Sequence, residues 1–259
     1  MSELTGRASY AYAVARSFDP ALLEGVRGVD DAEVHLVPYR EIVVIVSSVP
    51  LAEFDETALR AKLERLPWLE ATARAHHAVV DSVATHSVTL PLRLATVYRG
   101  YERVTEVLRQ SYPRFRAALD RLAGKVELEV KVYTEPQATA PATSPSSSSP
   151  GRDYLRRRRA QHRARDDAWQ RAAAAATQVD TALATLAVDS RHRPPQSPQL
   201  SGAGGENVLN VAYLVDAERA EELAAWARRL EAEAPGARVE VTGPWAPYSF
   251  APPDGEELA

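Results

Sequence analysis

The sequence predicts an α+β fold in two domains: an N-terminal mixed α/β sheet domain, and a C-terminal ferredoxin-like domain with a long helix and an extended tail. Three observations support this class. Short alternating or wholly apolar segments, typical of strands, are interspersed with helical periodicities along the 259 residues. Two stretches with almost no large apolar side chains interrupt the second half of the chain. A Gly-Pro pair followed by three closely spaced aromatic residues lies near the C-terminus.

The N-terminal domain, predicted over residues 1–123, begins with three strands. Ser9–Ala15 alternates, with aromatic and apolar side chains on one side. Val34–Val37 and Ile42–Val46 are separated by a short segment that suits a hairpin. Because Ile42–Val46 is apolar without a break, we expect a central strand that is covered on both faces.

Two helices are predicted next. Asp55 can cap the first, and Pro67 suits the first turn of the second. A fourth strand, Val88–Tyr98, follows, and Pro91 would place its N-terminal part at a sheet edge or a bulge. A further helix begins near Tyr101 and ends before Gly124, and Pro113 is expected to kink or restart it.

The C-terminal domain, predicted over residues 124–259, opens on the cleanest strand pattern of the chain. In Val126–Tyr133, apolar side chains alternate with Glu and Lys. Tyr154–Val188 lacks Pro and Gly, which predicts one long helix with an apolar seam that starts at Trp169. Val208–Val215 predicts a strand, and a helix and a last strand complete a ferredoxin-like order.

Two segments are predicted to be flexible insertions in this domain, at about 136–150 and 191–206. Both are rich in Ser, Pro, Ala or Gly and carry almost no large apolar groups. Ordering them would cost backbone entropy that no burial offsets.

The tail, predicted over residues 243–259, follows the last strand. Proline cannot donate to a ladder, so Gly243-Pro244 is expected to end that strand. Trp245, Tyr248 and Phe250 come directly after it. Aromatic side chains this close to a terminus are expected to dock, either on the chain's own body or on a partner.

Composition excludes several function classes. The formal charge is −4, so no overall basic field recruits nucleic acid, and we expect no lipid membrane partner. There are no cysteines, which excludes disulfides and thiolate catalysis. The first residues lack an apolar signal core and no run approaches the ~20 apolar residues of a membrane span, so a cytoplasmic location is expected.

No catalytic, cofactor-binding or metal site is predicted. His76 and His77 lie about 100° apart on one helix and cannot share a chelating face, so a packed or capping His76 is favoured. Arg93 is interpreted as a structural ion-pair partner, with a ligand arm as the alternative. The run Arg156–Arg159 indicates a solvated helix face rather than a grip on RNA or an anionic membrane, because no aromatic side chain interleaves it.

The chain resembles the gas vesicle protein F/L family. The most specific shared block is Gly243-Pro-Trp-Ala-Pro-Tyr-Ser-Phe250, because its order of aromatic residues and prolines is hard to reach by chance. The other matching segments are Tyr10–Val14, Trp68–Glu70, His76, Val79–Val80, Leu90–Val97, Gly124–Tyr133, Tyr154–Leu155 and Asn207–Val215. The chain departs from the family pattern at Leu94-Ala95, where Phe-Gly is usual, at Leu128, where an aromatic residue is usual, and at Ala246, where proline is usual.

The resemblance implies a non-enzymatic accessory protein or minor structural component of gas vesicles with a two-domain α/β fold. It implies binding to the small hydrophobic shell protein, contact with other gas vesicle accessory proteins, and a place at the gas-facing wall. The oligomeric state is left open. The candidates for structural or partner-binding roles are Trp245, Tyr248, Phe250, Pro91, Arg93 and His76.

From the residues alone, two other hypotheses stay open. A ferredoxin-like regulatory or small-molecule-binding module predicts a defined polar pocket, and an enzyme predicts a cluster of perturbed titratable groups in one cleft. The shell-protein hypothesis instead predicts association with a short, very apolar protein and no turnover.

Overall fold

The computed structural model describes residues 6–135, 150–196, 204–234 and 236–251. These residues form two compact units, the first made of 6–126 together with 245–251 and the second of 127–244. Each unit contains a four-stranded sheet, so the predicted α+β class with two sheets is confirmed.

The sheet of the first unit is antiparallel in every pair, with strand order β2-β3-β1-β4. Its strands are β1 (Arg7–Arg16), β2 (Val34–Tyr39), β3 (Ile42–Pro50) and β4 (Thr89–Tyr98). In β3, Val43 and Ile45 belong to the hydrophobic cluster on one face, and their buried neighbours Ile42 and Val44 alternate with them. Both faces of β3 are therefore covered, as its unbroken apolar run predicted.

The edge strand β4 is bent in the middle. Thr96 lies opposite Ala11 of β1, and Pro91 lies opposite Ala13, so the register between β1 and β4 shifts between these pairs. The prediction that Pro91 marks a sheet edge or bulge is confirmed. Ala95, within the bend, has a φ of 66°, in the left-handed region that favours glycine.

The helices of the first unit cover its sheet. They are α1 (Leu51–Phe54), α2 (Glu56–Leu63), α3 (Leu66–Ala84) and α4 (Gly100–Leu122). The carboxylate of Asp55 accepts the backbone N–H of Ala58 at 2.8 Å, which confirms it as the cap of α2. Pro67 lies in the first turn of α3, also as predicted. The expected restart at Pro113 is wrong, because α4 is one continuous helix through this residue.

The core of the first unit joins α3 to the sheet. Val79, Val80 and Val83 of α3 are fully buried against a cluster that includes Tyr10 and Tyr12 of β1. Burial of each such side chain stabilises the fold by roughly 1.5–3 kcal/mol. Ala246 of the C-terminal tail belongs to the same cluster, and Tyr248 packs against it.

The second unit has strand order β6-β7-β5-β8 and chain order β-α-β-β-α-β. Its elements are β5 (Lys125–Thr134), α5 (Pro150–Ala184), β6 (Asp189–His192), β7 (Asn207–Asp216), α6 (Ala220–Glu233) and β8 (Ala237–Trp245). This is the ferredoxin-like arrangement predicted for the C-terminal domain. The first unit has the same strand order, with 3-10 turns in place of the helix after its first strand.

Strand β6 corrects the start of the predicted insertion at 191–206, of which residues 197–203 lie outside the described residues. Residues 189–192 pair antiparallel with β7, and the guanidinium of Arg193 contacts the carboxylates of Glu127 at 3.0 Å and Glu129 at 2.9 Å. Ladder hydrogen bonds and ion pairs order this segment without large apolar groups. The other predicted insertion, 136–150, lies outside the described residues except for Pro150, where α5 begins.

Two further expectations in the second unit are wrong. β8 continues through Gly243-Pro244 to Trp245. Since β8 is an edge strand, the missing N–H of the proline interrupts no central ladder. In α5, Trp169 is 46 % exposed, and the buried seam starts instead at Ala168.

The predicted domain limits, 1–123 and 124–259, stay a prediction. The compact units differ from these limits chiefly at the C-terminus, because residues 245–251 join the first unit. The prediction counted the tail with the second domain.

Candidate functional site: the docked tail and the β4 edge

The C-terminal tail, described here as residues 245–251, docks on the chain's own first unit. Ala246 belongs to the core cluster of that unit, and Tyr248 packs against it half-buried. Phe250 is 1 % exposed, whereas Trp245 is 39 % exposed. The 3-10 turn Tyr248–Phe250 packs against β4. The alternative left open by the sequence is thus resolved in favour of intramolecular docking.

Two neighbouring histidines of α3 receive the tail's rings. The ring centroids of His77 and Trp245 are 5.2 Å apart, those of His77 and Tyr248 are 5.9 Å apart, and those of His76 and Tyr248 are 6.2 Å apart. Aromatic contacts at these separations contribute about 0.5–1.5 kcal/mol beyond area burial. Arg121 of α4 also donates a hydrogen bond to the backbone carbonyl of Phe250.

His76 is a packed core histidine, as the sequence favoured. It is 3 % exposed, and its Nδ1 shares a hydrogen bond of 3.2 Å with the hydroxyl of Tyr10. That hydroxyl in turn accepts the backbone N–H of Ala95 at 2.9 Å. The chain of contacts fixes the bend of β4 to the core.

Burial sets the charge of this histidine. It lowers the pKa of His76 to about 4, although the backbone carbonyl of Leu92 opposes the shift. His76 is therefore neutral at pH 7. Burial also raises the pKa of Tyr10, so that its hydroxyl stays a donor.

His77 is partly exposed, and besides the tail's rings it contacts a carboxylate. Its Nε2 lies 3.0 Å from a carboxylate oxygen of Asp81, one turn further along α3. Burial raises the pKa of Asp81, and the nearby imidazole counteracts that rise. Among the described residues, no three His, Asp or Glu side chains come together as metal ligands.

The two β4 candidates have different environments. Pro91 is buried at the bulge, whereas Arg93 is exposed. No carboxylate in the described part of the chain lies within salt-bridge distance of Arg93, so its interpretation as a structural ion-pair partner is wrong for these residues. The bend in β4 leaves its side chain in solvent, and the backbone carbonyl of Arg93 accepts a hydrogen bond from Thr96 at 2.8 Å.

A groove beside β4 was missed by the sequence analysis. It has a volume of about 540 Å³ and lies between α1, α2 and the last residues of β4. Its lining residues are Leu51, Phe54, Asp55, Glu56, Leu59, Ala95, Val97, Tyr98, Arg99 and Arg103. The only sequence signal for it is that α2 is too short and too weakly apolar to bury its own stripe.

The Arg-rich half of α5 is a solvated surface, as predicted. Arg156–Arg159 are exposed, and the guanidinium of Arg158 donates to the hydroxyl of Tyr154 at 2.9 Å. His162 and Asp166 pair at 2.8 Å one turn apart. Within the described ranges, no helix is both long and apolar enough to cross a membrane.

Fold and site together define a class: an α+β protein of two four-stranded sheets whose aromatic tail folds back into the first unit. The family model described as "Gas vesicle synthesis protein GvpL/GvpF" matches residues 8–252, and the chain belongs to this family of proteins involved in gas vesicle formation. The sequence resemblance is thereby confirmed.

Relatives and solved structures agree with this assignment. The chain is 46 % identical to gas vesicle protein L of a Streptomyces species, over 95 % of this chain and 94 % of the relative. It is 23 % identical to gas vesicle protein F1 of Halobacterium salinarum, over 93 % and 91 % of the two chains. The crystal structure of GvpF from an Anabaena species shares the fold, with a TM-score of 0.66 at 16 % identity over 97 % of this chain and 98 % of that one. GvpF from Microcystis aeruginosa gives a TM-score of 0.62 at 18 % identity, over 95 % and 99 %.

Proposed function

We propose that this protein is an accessory or minor structural component of gas vesicle formation that binds the small hydrophobic shell protein and prevents its aggregation. The observation that carries the proposal is the family match over residues 8–252, which spans both units and the tail. The protein acts by binding, without turnover, in the cytoplasm and at the gas vesicle, in contact with other accessory proteins.

Physical chemistry gives the reason for such a partner. A subunit that will face gas must expose apolar surface before assembly, and exposed apolar surface self-associates unless another protein covers it. This chain retains large apolar side chains at its own surface. They are Leu22, Leu66, Tyr154, Leu155, Trp169, Val188, Trp226 and Trp245.

In this proposal the tail stabilises the folded first unit, and it is not the main contact with the shell protein. Ala246 and Phe250 are buried in the folded chain and have little surface left to offer a partner. Among the described tail residues 245–251, Trp245 is the one classed as exposed, so it is the residue through which this part of the tail would touch the shell protein directly.

Co-expression with the shell protein tests the proposal. The fraction of shell protein in the supernatant after high-speed centrifugation should rise when this chain is present, and the two proteins should co-purify. If the tail only stabilises the first unit, Trp245→Ala should leave the soluble fraction of shell protein and the co-purification nearly unchanged. Loss of co-purification by folded Trp245→Ala would instead assign the tail a direct contact, and absence of any rise with the wild-type chain would overturn the function.

A further inference from the structure

We propose that a cleft at one end of the first unit binds an acidic segment of a soluble protein partner, whose carboxylates pair with the guanidiniums of Arg7 and Arg65. This basic cleft has a volume of about 650 Å³, within the range of ligand-binding sites. It lies where β1 begins, β3 ends and α2 leads into α3. The charged and aromatic residues that line it are Arg7, Asp30, Glu53, Lys62, Arg65 and Trp68. The partner's part in gas vesicle formation rests on the proposed function.

The two carboxylates of the cleft face the same cation. Nζ of Lys62 lies 2.8 Å from a carboxylate oxygen of Glu53 and 4.0 Å from one of Asp30. The same ammonium lies 4.6 Å from the ring centroid of Phe54 and 5.4 Å from that of Trp68. These contacts hold Lys62 in place, and its charge offsets the carboxylates beside it. With three cations against two carboxylates, the cleft keeps a net positive charge.

The other two cations, Arg7 and Arg65, have no carboxylate within salt-bridge distance in the described part of the chain. Arg7 donates from Nε to Ser48 Oγ at 2.9 Å and from Nη2 to the Ser48 carbonyl at 2.8 Å. These two bonds orient its guanidinium and leave Nη1 to donate elsewhere. Arg65 is exposed, and its side chain makes neither an ion pair nor a hydrogen bond within the described ranges. The cleft therefore offers two guanidiniums whose charges the chain itself does not pair.

Spaced carboxylates suit this arrangement better than a phosphate group does. Guanidiniums bind both kinds of anion, often through two parallel hydrogen bonds. Asp30 and Glu53 share the cleft and would repel a compact group that carries two negative charges. Two single carboxylates along a peptide can each approach one guanidinium and stay clear of the acidic side chains. The ligand class is therefore an acidic peptide segment.

The same charges favour a soluble partner over the shell protein. A subunit of the gas-facing wall presents apolar surface before assembly, and such surface gains nothing from unpaired guanidiniums. An acidic segment gains two charge-assisted pairs, and an apolar side chain between its carboxylates can pack on the half-buried Pro50 and Trp68. The partner that fits the basic cleft is thus another accessory protein with an acidic surface segment.

A synthetic peptide tests the recognition chemistry. The probe is a fluorescent Gly/Ser peptide that contains Glu-Leu-Glu, titrated with the full-length chain at low salt and followed by fluorescence anisotropy. The matched peptide with Gln-Leu-Gln should bind at least tenfold more weakly, and added salt should weaken the acidic peptide further. No binding of the acidic peptide, or equal binding of the two peptides, would overturn the proposal. Displacement of the probe by tripolyphosphate at a lower concentration than by the unlabelled acidic peptide would assign the cleft to phosphate ligands and overturn it as well.

Matched substitutions locate the site. Arg65→Glu should weaken binding of the acidic peptide by about tenfold or more, whereas Arg109→Glu, an equal charge change at an exposed position of α4, should not. Because neither side chain makes a contact in the described part of the chain, both variants should melt like wild type. Equal weakening by the two variants, or none by Arg65→Glu, would exclude the basic cleft.

Shell-protein solubility separates this proposal from the proposed function. Arg65→Glu should raise the soluble fraction of co-expressed shell protein as much as wild type does. Loss of that effect in folded Arg65→Glu would make the cleft a shell-protein site, which overturns the acidic partner while the proposed function stands. If wild type binds the acidic peptide as expected but does not keep the shell protein soluble, the proposed function fails and the basic cleft stands.

Discussion

The indole of Trp245 lies edge to face on the imidazole of His77, with ring centroids 5.2 Å apart. Five residues further on, Phe250 is buried to 1 % exposure, whereas Trp245 retains 39 %. The tail thus has one anchor at the surface and one in the interior, and the two should contribute differently to stability.

Phe250→Ala is expected to lower the free energy of unfolding by about 3–5 kcal/mol, because it removes a fully buried aromatic ring. Trp245→Ala should cost about 1–2 kcal/mol, since its ring contacts are partly solvated. Urea denaturation followed by circular dichroism measures both. Equal losses for the two variants would contradict the division of the tail into surface and interior anchors.

Gly28 lies against a buried hydrogen-bond pair. The hydroxyl of Tyr12 donates to Ser47 Oγ at 2.9 Å, and a Cβ at residue 28 would lie 2.1 Å from that hydroxyl. Gly28→Ala must displace the pair, so we expect a loss of about 2–3 kcal/mol in unfolding free energy. Gly6→Ala is the control, because a Cβ there meets nothing within 4 Å. Its thermal midpoint should match wild type, and an unchanged midpoint for Gly28→Ala would refute the packing.

Ala95→Gly is expected to stabilise the protein by up to about 1 kcal/mol. The left-handed conformation at Ala95 costs an L-residue roughly 1–2 kcal/mol, which exceeds the added chain entropy of glycine in the unfolded state. Ala61→Gly, at an exposed position of α2, should instead destabilise by about 1 kcal/mol. Differential scanning calorimetry would show opposite shifts in the melting temperature. A lower melting temperature for Ala95→Gly would contradict the strain.

The buried His76 should make stability depend on pH. Its folded pKa of about 4 lies below the unfolded value of 6.5, so the unfolded chain takes up a proton first as the pH falls. The contribution is complete above pH 6.5 and is lost as the pH falls towards 4, by about 3 kcal/mol in total. His76→Gln removes the titration and keeps a hydrogen-bonding group beside Tyr10. The difference in unfolding free energy between wild type and variant should vary with pH only in this window, and a constant difference would refute the burial effect.

Strands with clear apolar patterns were predictable, and polar ones were not. Ile42–Val46 and Val126–Tyr133 owe their positions to burial, which a sequence records as periodicity. Asp189–His192 has no apolar side chain at all and becomes a strand only because β7 offers it backbone partners. Pairing of this kind depends on a neighbour distant in sequence, and local pattern carries no trace of it.

Parts of the candidate site were predictable for the same reason. The closely spaced aromatic residues Trp245, Tyr248 and Phe250 indicated docking, and the side-by-side His76 and His77 indicated packing rather than chelation. Which surface received the tail could not be read from these residues, since any apolar surface satisfies them. The groove was invisible because it is a property of incomplete packing between α2 and β4, not of a residue type.

The return of the tail to the first unit has a consequence for biosynthesis. The last described residues of that unit to leave the ribosome are 245–251, although its earlier segment ends at 126. At 5–20 residues per second, a nascent chain waits roughly 6–24 s between these two points. During that interval the surface that later receives Ala246 and Tyr248 is open to solvent and to any apolar neighbour. Chains that stall in translation before residue 245 would therefore expose the apolar surface that Ala246 and Tyr248 normally cover. Quality-control factors that bind exposed apolar surface would recognise such chains.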